Sequence, residues 1–136
     1  MSNKIVARYK DGRTVKGTSL DIDPAKPGCH VRTPEGSTVD VQLKDLKALF
    51  FVRSLEGDST HDESRTPDPR DLRTRGSKLI RLTFEDGEVM VGLTIRYPPN
   101  RPFFYMLPVD PESNNLRMLV NGDAVAGMEA VEALTP

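Results

Sequence analysis

The sequence predicts an all-β protein made of two tandem, small five-stranded β-barrel modules of SH3-like or Sm-like plan. Three observations carry this: an internal repeat, an Asp-Gly turn between alternating segments in each copy, and a polar stretch separating the copies. The repeat comes first because it defines the unit that must fold. Asp11-Gly12 recurs as Asp86-Gly87, an offset of 75, which also relates Gly17 to Gly92, Pro24 to Pro99, Lys26 to Arg101 and Pro27 to Pro102. Tyr9 stands against Phe84 and Val15 against Met90. Further on, Val39, Val41 and Leu43 align with Leu116, Met118 and Val120 at an offset of 77, so the second copy carries a two-residue insertion within 110–115. A solvated hairpin tip would absorb such an insertion.

Within each copy the pattern is that of strands. Lys4–Lys10 and Arg13–Ile22 flank Asp11-Gly12, and Lys78–Glu85 and Glu88–Tyr97 flank Asp86-Gly87, the arrangement of a hairpin. Cys29–Arg32 with Val39–Leu43 form a second hairpin in the first copy, and Phe104–Leu107 with Leu116–Asn121 match it in the second. Lys44–Lys47 reads as one helical turn before a buried strand, Ala48–Val52. Its counterpart 124–131 has helix-forming Ala, Met and Glu, but the repeat assigns it to a strand. Residues 1–53 form the first module and 78–136 the second. Between them, 54–77 has only Leu55 and Leu72 as large apolar residues and reads as a mobile linker. Copies this small sit near the lower limit for independent folding, so they are expected to pack on one another, with strand exchange one route. The consecutive Phe50 and Phe51 point to opposite faces of their strand, one into its own barrel and one outward to an inter-module contact.

The 136 residues carry 19 Lys+Arg against 20 Asp+Glu, a net charge of −1, which gives no support to attachment to nucleic acid or membrane by bulk charge. The longest uncharged apolar run, Ala48–Val52, is far too short for a membrane span, and the first residues lack the apolar region of a secretory signal. A cytoplasmic location is expected. The single Cys29 excludes an internal disulfide framework and a cysteine-based zinc site. It aligns with Phe104, as a small core residue would.

Residues 11–18 (Asp-Gly-Arg-Thr-Val-Lys-Gly-Thr), 47–58 (Lys-Ala-Leu-Phe-Phe-Val-Arg-Ser-Leu-Glu-Gly-Asp) and 108–117 (Pro-Val-Asp-Pro-Glu-Ser-Asn-Asn-Leu-Arg) resemble an uncharacterised family of bacterial two-copy β proteins. The resemblance covers nearly the whole chain outside the linker. It implies a bacterial, non-secreted setting and no assigned activity, and it supplies no functional residues.

The residues give little support to an enzyme. Gly57-Asp58-Ser59 with His61 has the types of a nucleophile and base, but a serine site needs a rigidly held base and a fixed oxyanion hole, and these lie in the polar linker. Asp58, His61, Asp62 and Glu63 could ligate a divalent ion, yet nothing fixes their geometry, and a solvated acidic stretch explains them. Asp110, Glu112, Asn114 and Asn115 lack the spacing of a calcium loop and fit turn formation. No paired carboxylates lie in an apolar setting and no phosphate-cradling glycine loop occurs. No cofactor is expected.

Two functions from different classes remain. The favoured one is a non-catalytic interaction or regulatory module that binds a protein segment on a barrel surface. Its candidate residues are Tyr97, Arg101, Phe103 and Tyr105, in a stretch holding four of the eight aromatics, with Pro98, Pro99 and Pro102 stiffening it. Phe103 and Tyr105 match Gly28 and His30, so the face opposite the core is aromatic only in the second copy. The bland account of the same rings is that they seal the contact between the modules. The second function is an Sm-like or PilZ-like binder of nucleic acid or nucleotide using Arg70, Arg73 and Arg75 as a basic arm. An arginine pair preceding a barrel resembles PilZ domains, but the Asp/Asn-x-Ser-x-x-Gly segment expected after Arg75 is replaced by Gly-Ser-Lys-Leu-Ile-Arg. A solvated flank balancing Asp68 and Asp71 accounts for the arm without any ligand.

Overall fold

A computed structural model describes residues 2–57, 63, 70, 71, 73 and 76–131. Ten antiparallel strands form one sheet: β1 (Asn3–Tyr9), β2 (Thr14–Ser19), β3 (Gly28–Arg32), β4 (Thr38–Gln42), β5 (Leu46–Val52), β6 (Lys78–Phe84), β7 (Val89–Thr94), β8 (Phe103–Pro108), β9 (Asn115–Asn121) and β10 (Val125–Ala130). The spatial order is β10-β6-β7-β8-β9-β5-β1-β2-β3-β4. The first five strands therefore lie together as β4-β3-β2-β1-β5 and the last five as β9-β8-β7-β6-β10, two runs of the same internal order joined where β5 pairs with β9. Short 3-10 turns, Leu43–Asp45 and Gly122–Ala124, precede β5 and β10. Within 124–131, Val125–Ala130 is thus a strand despite its helix-forming composition, because pairing with β6 gives its backbone a ladder that propensity alone would not. Among the described residues no helix is long and apolar enough to cross a membrane.

Both Asp-Gly pairs lie in hairpins of the same construction. The Gly12 N–H donates to the Tyr9 carbonyl at 3.1 Å and the Gly87 N–H to the Phe84 carbonyl at 2.9 Å. The two glycines take φ of 93° and 91°, while no non-glycine residue has positive φ. Each loop is therefore a three-residue type I turn closed by a left-handed glycine, with the Asp carboxylate accepting from the N–H two residues on. The pairing of the fifth strand of each run is also the same. Tyr9 opposes Leu46 and Arg8 opposes Ala48, with a bulge between, as Phe84 opposes Val125 and Thr83 opposes Gly127. This pairing corrects the alignment of the later strands. Val31 opposes Val39 as Met106 opposes Met118, so the offset from Val39 is 79, and the second run has four extra residues rather than two. A slip of two residues keeps the same face inward, which is why the apolar pattern could not detect it.

The added residues are not all solvated: Pro111 and Glu112 are exposed, but their neighbours are not. Asp110 and Ser113 are buried, and Asn114 accepts from the Ser54 N–H (3.0 Å) and donates to the Ser54 carbonyl (2.9 Å). The Arg53 guanidinium donates to the carbonyls of Ser113 and Pro111, both at 3.0 Å. The loop between β8 and β9 thus clamps the chain as it leaves β5.

Two apolar cores result. The first contains Ile5, Ala7, Tyr9, Cys29, Val31, Val41, Leu43, Leu46, Leu49 and Phe51 with Leu119, and the second contains Ile80, Leu82, Phe84, Met106, Met118 and Val120 with Ala48, Phe50 and Val52. Every residue of β5 is buried, and its side chains alternate between the cores. Phe50 enters the second core and Phe51 the first, so the outward phenylalanine is the one that fills the other half's interior. At the narrow crossing of β2 and β3 a Cβ on Gly17 would stand 2.1 Å from the Arg32 carbonyl oxygen, which only glycine avoids.

On the outer side of β3, His30 Nδ1 lies 2.6 Å from an Asp21 oxygen and Nε2 lies 3.1 Å from Asp40. The His30 ring and its backbone N–H hold the Asp21 carboxyl at about 2, and the bond to Asp21 raises His30 above its ordinary value. Asp21 binds a proton less readily folded than unfolded, so its contribution is full above 3.8 and fades as pH falls toward 2. His30 binds one more readily folded, so its contribution is full below 6.5 and fades as pH rises through the raised value. Asp21→Asn should therefore lower the urea midpoint most between these limits and least at either end. Midpoints measured across pH check this, and a pH-independent difference would contradict it.

Candidate binding groove

A groove of about 560 Å³ lies beside the β1–β2 hairpin. Val6, Phe50 and Val52 give it an apolar floor, and Arg8, Thr14, Lys16, Glu56 and Asp86 give it a polar rim. A second lobe of about 240 Å³, between Glu88–Val91 and Pro108-Val109, shares Arg8, Phe50 and Asn115 with it. The floor is the second-core side of β5 and β1.

Each cation of the rim has an internal partner. Lys47 Nζ donates to Asp86 at 2.7 Å and to Glu88, and lies 4.7 Å from the centre of the Phe84 ring. Burial pushes its pKa down, but the bonds from Asp86 and Glu88 outweigh that and leave it raised. Lys47 is the extra residue of the bulge opposite Arg8 and Tyr9, which turns a charge inside an apolar strand sideways toward the β6–β7 turn. Arg8 lies 5.0 Å over the Phe50 ring and 3.8 Å from Glu88. Lys16 Nζ donates to the Leu55 carbonyl at 3.2 Å. The rim therefore mixes cations and carboxylates, with each of its cations in contact with a group of the chain.

The residues singled out from sequence fall elsewhere. Phe103 and Tyr105 are half-buried against the first core, with Tyr105 and Phe51 ring centres 6.2 Å apart. Arg117 lies 4.2 Å over Phe51 and 4.6 Å over Tyr105. Tyr97 packs instead against the second core, after a strand that ends at Thr94, and Arg101 is exposed. The four do not form one patch: Phe103 and Tyr105 line the seam between the cores while Tyr97 lies on the other side of it. The face opposite their own core is the face turned toward β5's other core, a consequence of the β5–β9 pairing that a repeat alignment does not contain. Of the basic arm, Arg73 is bound to Asp71 at 2.7 Å and donates to the Val109 carbonyl at 3.0 Å. Arg70 is exposed, and Arg75 lies outside the described residues. Ser59, His61 and most of the acidic stretch at 58–63 also lie outside them, as does the middle of the expected linker, whose two ends are tied down through Ser54 and Arg73. Among the described residues no group of three His, Cys, Asp or Glu side chains could hold a metal ion.

Sequence reasoning missed the groove because its walls come from β1, β2, β5, β9 and the β6–β7 turn, which no local spacing links. One signal was present: Lys47 is the lone charge within Leu46–Val52, and an isolated charge in a buried strand needs a partner.

Two expected outcomes follow from these contacts. Tyr105→Ala should cost about 2 kcal/mol, less than a fully buried aromatic, by opening the seam; a thermal scan showing an unchanged melting temperature would contradict the packing. Asp86→Asn with Glu88→Gln should cost about 3 kcal/mol by stranding the Lys47 charge, while Lys47→Met should cost far less, since an apolar replacement removes the need for a partner. Denaturant midpoints compare the two.

Comparison with curated proteins and with solved structures finds no match. A family model covers residues 1–132, and the chain belongs to that family, a family of unknown function (DUF6982).

Proposed function

We propose that this chain is a non-catalytic interaction module, a fused tandem of two SH3-like or Sm-like five-stranded units, that holds an extended protein segment in the groove over Phe50. The equal strand order of the two runs and the equal registers of β1–β5 and β6–β10, bulge included, support the two-copy reading. The observation that carries the function is the groove's chemistry: an apolar floor under a mixed rim in which Lys47 is paired with Asp86 and Glu88, Arg8 lies over Phe50 and Lys16 donates to the Leu55 carbonyl. Such a surface suits a peptide, which offers apolar side chains and backbone donors and acceptors together. A nucleic acid or nucleotide needs uncommitted positive charge, and Arg8, Lys16, Lys47 and Arg73 are all engaged. The partner is therefore a protein, bound without a cofactor. A reducing compartment such as the cytoplasm suits the one buried thiol, Cys29.

Selection of a displayed random-peptide library on the full chain tests this. Enriched peptides should lose binding, about tenfold or more, on Thr14→Trp, which fills the groove from an exposed strand end, and should bind with weak salt dependence. Tight binding of a single-stranded oligonucleotide with affinity falling steeply in salt, or peptides indifferent to Thr14→Trp, would overturn the proposal.

A further inference from the structure

Among the described residues the sheet has two unpaired edges, and they are chemically different. β4 occupies in the first run the place that β9 occupies in the second, and β9 is covered by β5. The bonds Leu43 N–H to Pro27 and Thr33 N–H to Ser37 fix the alternation along β3–β4, so Val39 and Val41 face β3 while the backbone groups of Thr38, Asp40 and Gln42 point outward. Among the described residues no strand pairs with that side of β4. By the same alternation Arg117 and Leu119 of β9 point toward β5, where Phe51 and Leu49 oppose them.

The other edge, β10, stands where β5 stands in the first run. Where Val6 and Phe50 oppose each other at the covered junction, Arg81 and Glu129 oppose each other on β6 and β10 and form an ion pair of 2.5 Å. A charged pair on the outer face is how a terminal repeat is blunted against further addition. Setting β10 of a second copy on β4 in the β5–β9 register would place Glu129 against Val39 and Met128 against Asp40, a mismatch at both positions. A second copy is therefore a poor occupant of β4.

We propose that the free edge of β4 is a strand-addition site for an extended segment of a partner protein carrying apolar side chains opposite Val39 and Val41 and a basic side chain opposite Asp40. The apolar positions follow Phe50 and Ala48, which face Met118 and Val120 at the covered junction. The basic position follows Asp40, where β9 has Leu119: its carboxylate is about three-quarters exposed and, among the described residues, meets only His30 Nε2, at 3.1 Å from the β3 side, which leaves its outer side open to a second cation. Backbone bonds would supply affinity and the Asp40 position would supply selectivity. The site lies apart from the groove over Phe50 and stands without it.

The test uses the full chain, isotope-labelled, titrated with a synthetic peptide of residues 46–52 in which Lys replaces Leu49, beside the same peptide with Glu there. The Lys peptide should shift and protect the amides of Thr38, Asp40 and Gln42 and bind about tenfold tighter than the Glu peptide. Asp40→Lys should reverse that order, and Thr14→Trp should leave it unchanged. Protection confined to β10 or to the groove, a preference indifferent to Asp40→Lys, or a peptide-free chain already dimeric through β4 would each overturn the proposal.

Discussion

The structure depends on β5, a strand that serves two cores at once. A strand of an antiparallel sheet ordinarily buries one face and wets the other, which gives alternating apolar and polar residues. Leu-Lys-Ala-Leu-Phe-Phe-Val at 46–52 does not alternate, because both faces are covered: Leu46, Leu49 and Phe51 enter the first core and Ala48, Phe50 and Val52 the second. Each half is small, and the apolar surface it can bury alone is limited. Sharing β5 lets Phe50 and Val52 complete the second core while Leu49 and Phe51 complete the first. The same pairing explains why β9, with Leu119 on one face and Met118 and Val120 on the other, is apolar on both sides near the junction.

The two halves differ where they meet different surroundings. The inner junction carries Phe50 with Val6 and Leu119 with Tyr105, while the matching outer positions carry Glu129 with Arg81 on one edge and Asp40 with His30 on the other. Lys47 ties the halves by a second route, from the β5 bulge to the β6–β7 turn. The groove lies beside that tie, and its balanced rim is a by-product of the ion pairs and carbonyl contacts that hold the halves in place.

Much of the architecture was legible in the sequence because it rests on local chemistry. The Asp-Gly turns, the alternating strands and the helical turn before β5, found at Leu43–Asp45 rather than Lys44–Lys47, each have a short-range cause, and the ten strands fall close to where the pattern puts them. The four-residue offset was not legible, since a slip of two preserves the inward face. Nor was the burial of Phe103 and Tyr105: an alignment identifies the face opposite the module's own core, and only the β5–β9 contact turns that face inward. The basic arm illustrates the converse. Arg73 carries the charge that its sequence advertises, but Asp71 two residues earlier and the Val109 carbonyl take it up. The groove has no sequence signature because charge balance at its rim arises from residues about 40 positions apart, such as Lys47 with Asp86.

Differential scanning calorimetry of the full chain tests the shared strand most directly. If β5 completes both cores, neither half can unfold and leave the other intact, and one transition should appear with equal calorimetric and van't Hoff enthalpies. Phe51→Leu, which loosens the first core alone, should then move the whole transition downward. Two resolved transitions, or a Phe51→Leu variant in which only part of the heat absorption shifts, would contradict a common wall and show two cores that fold independently.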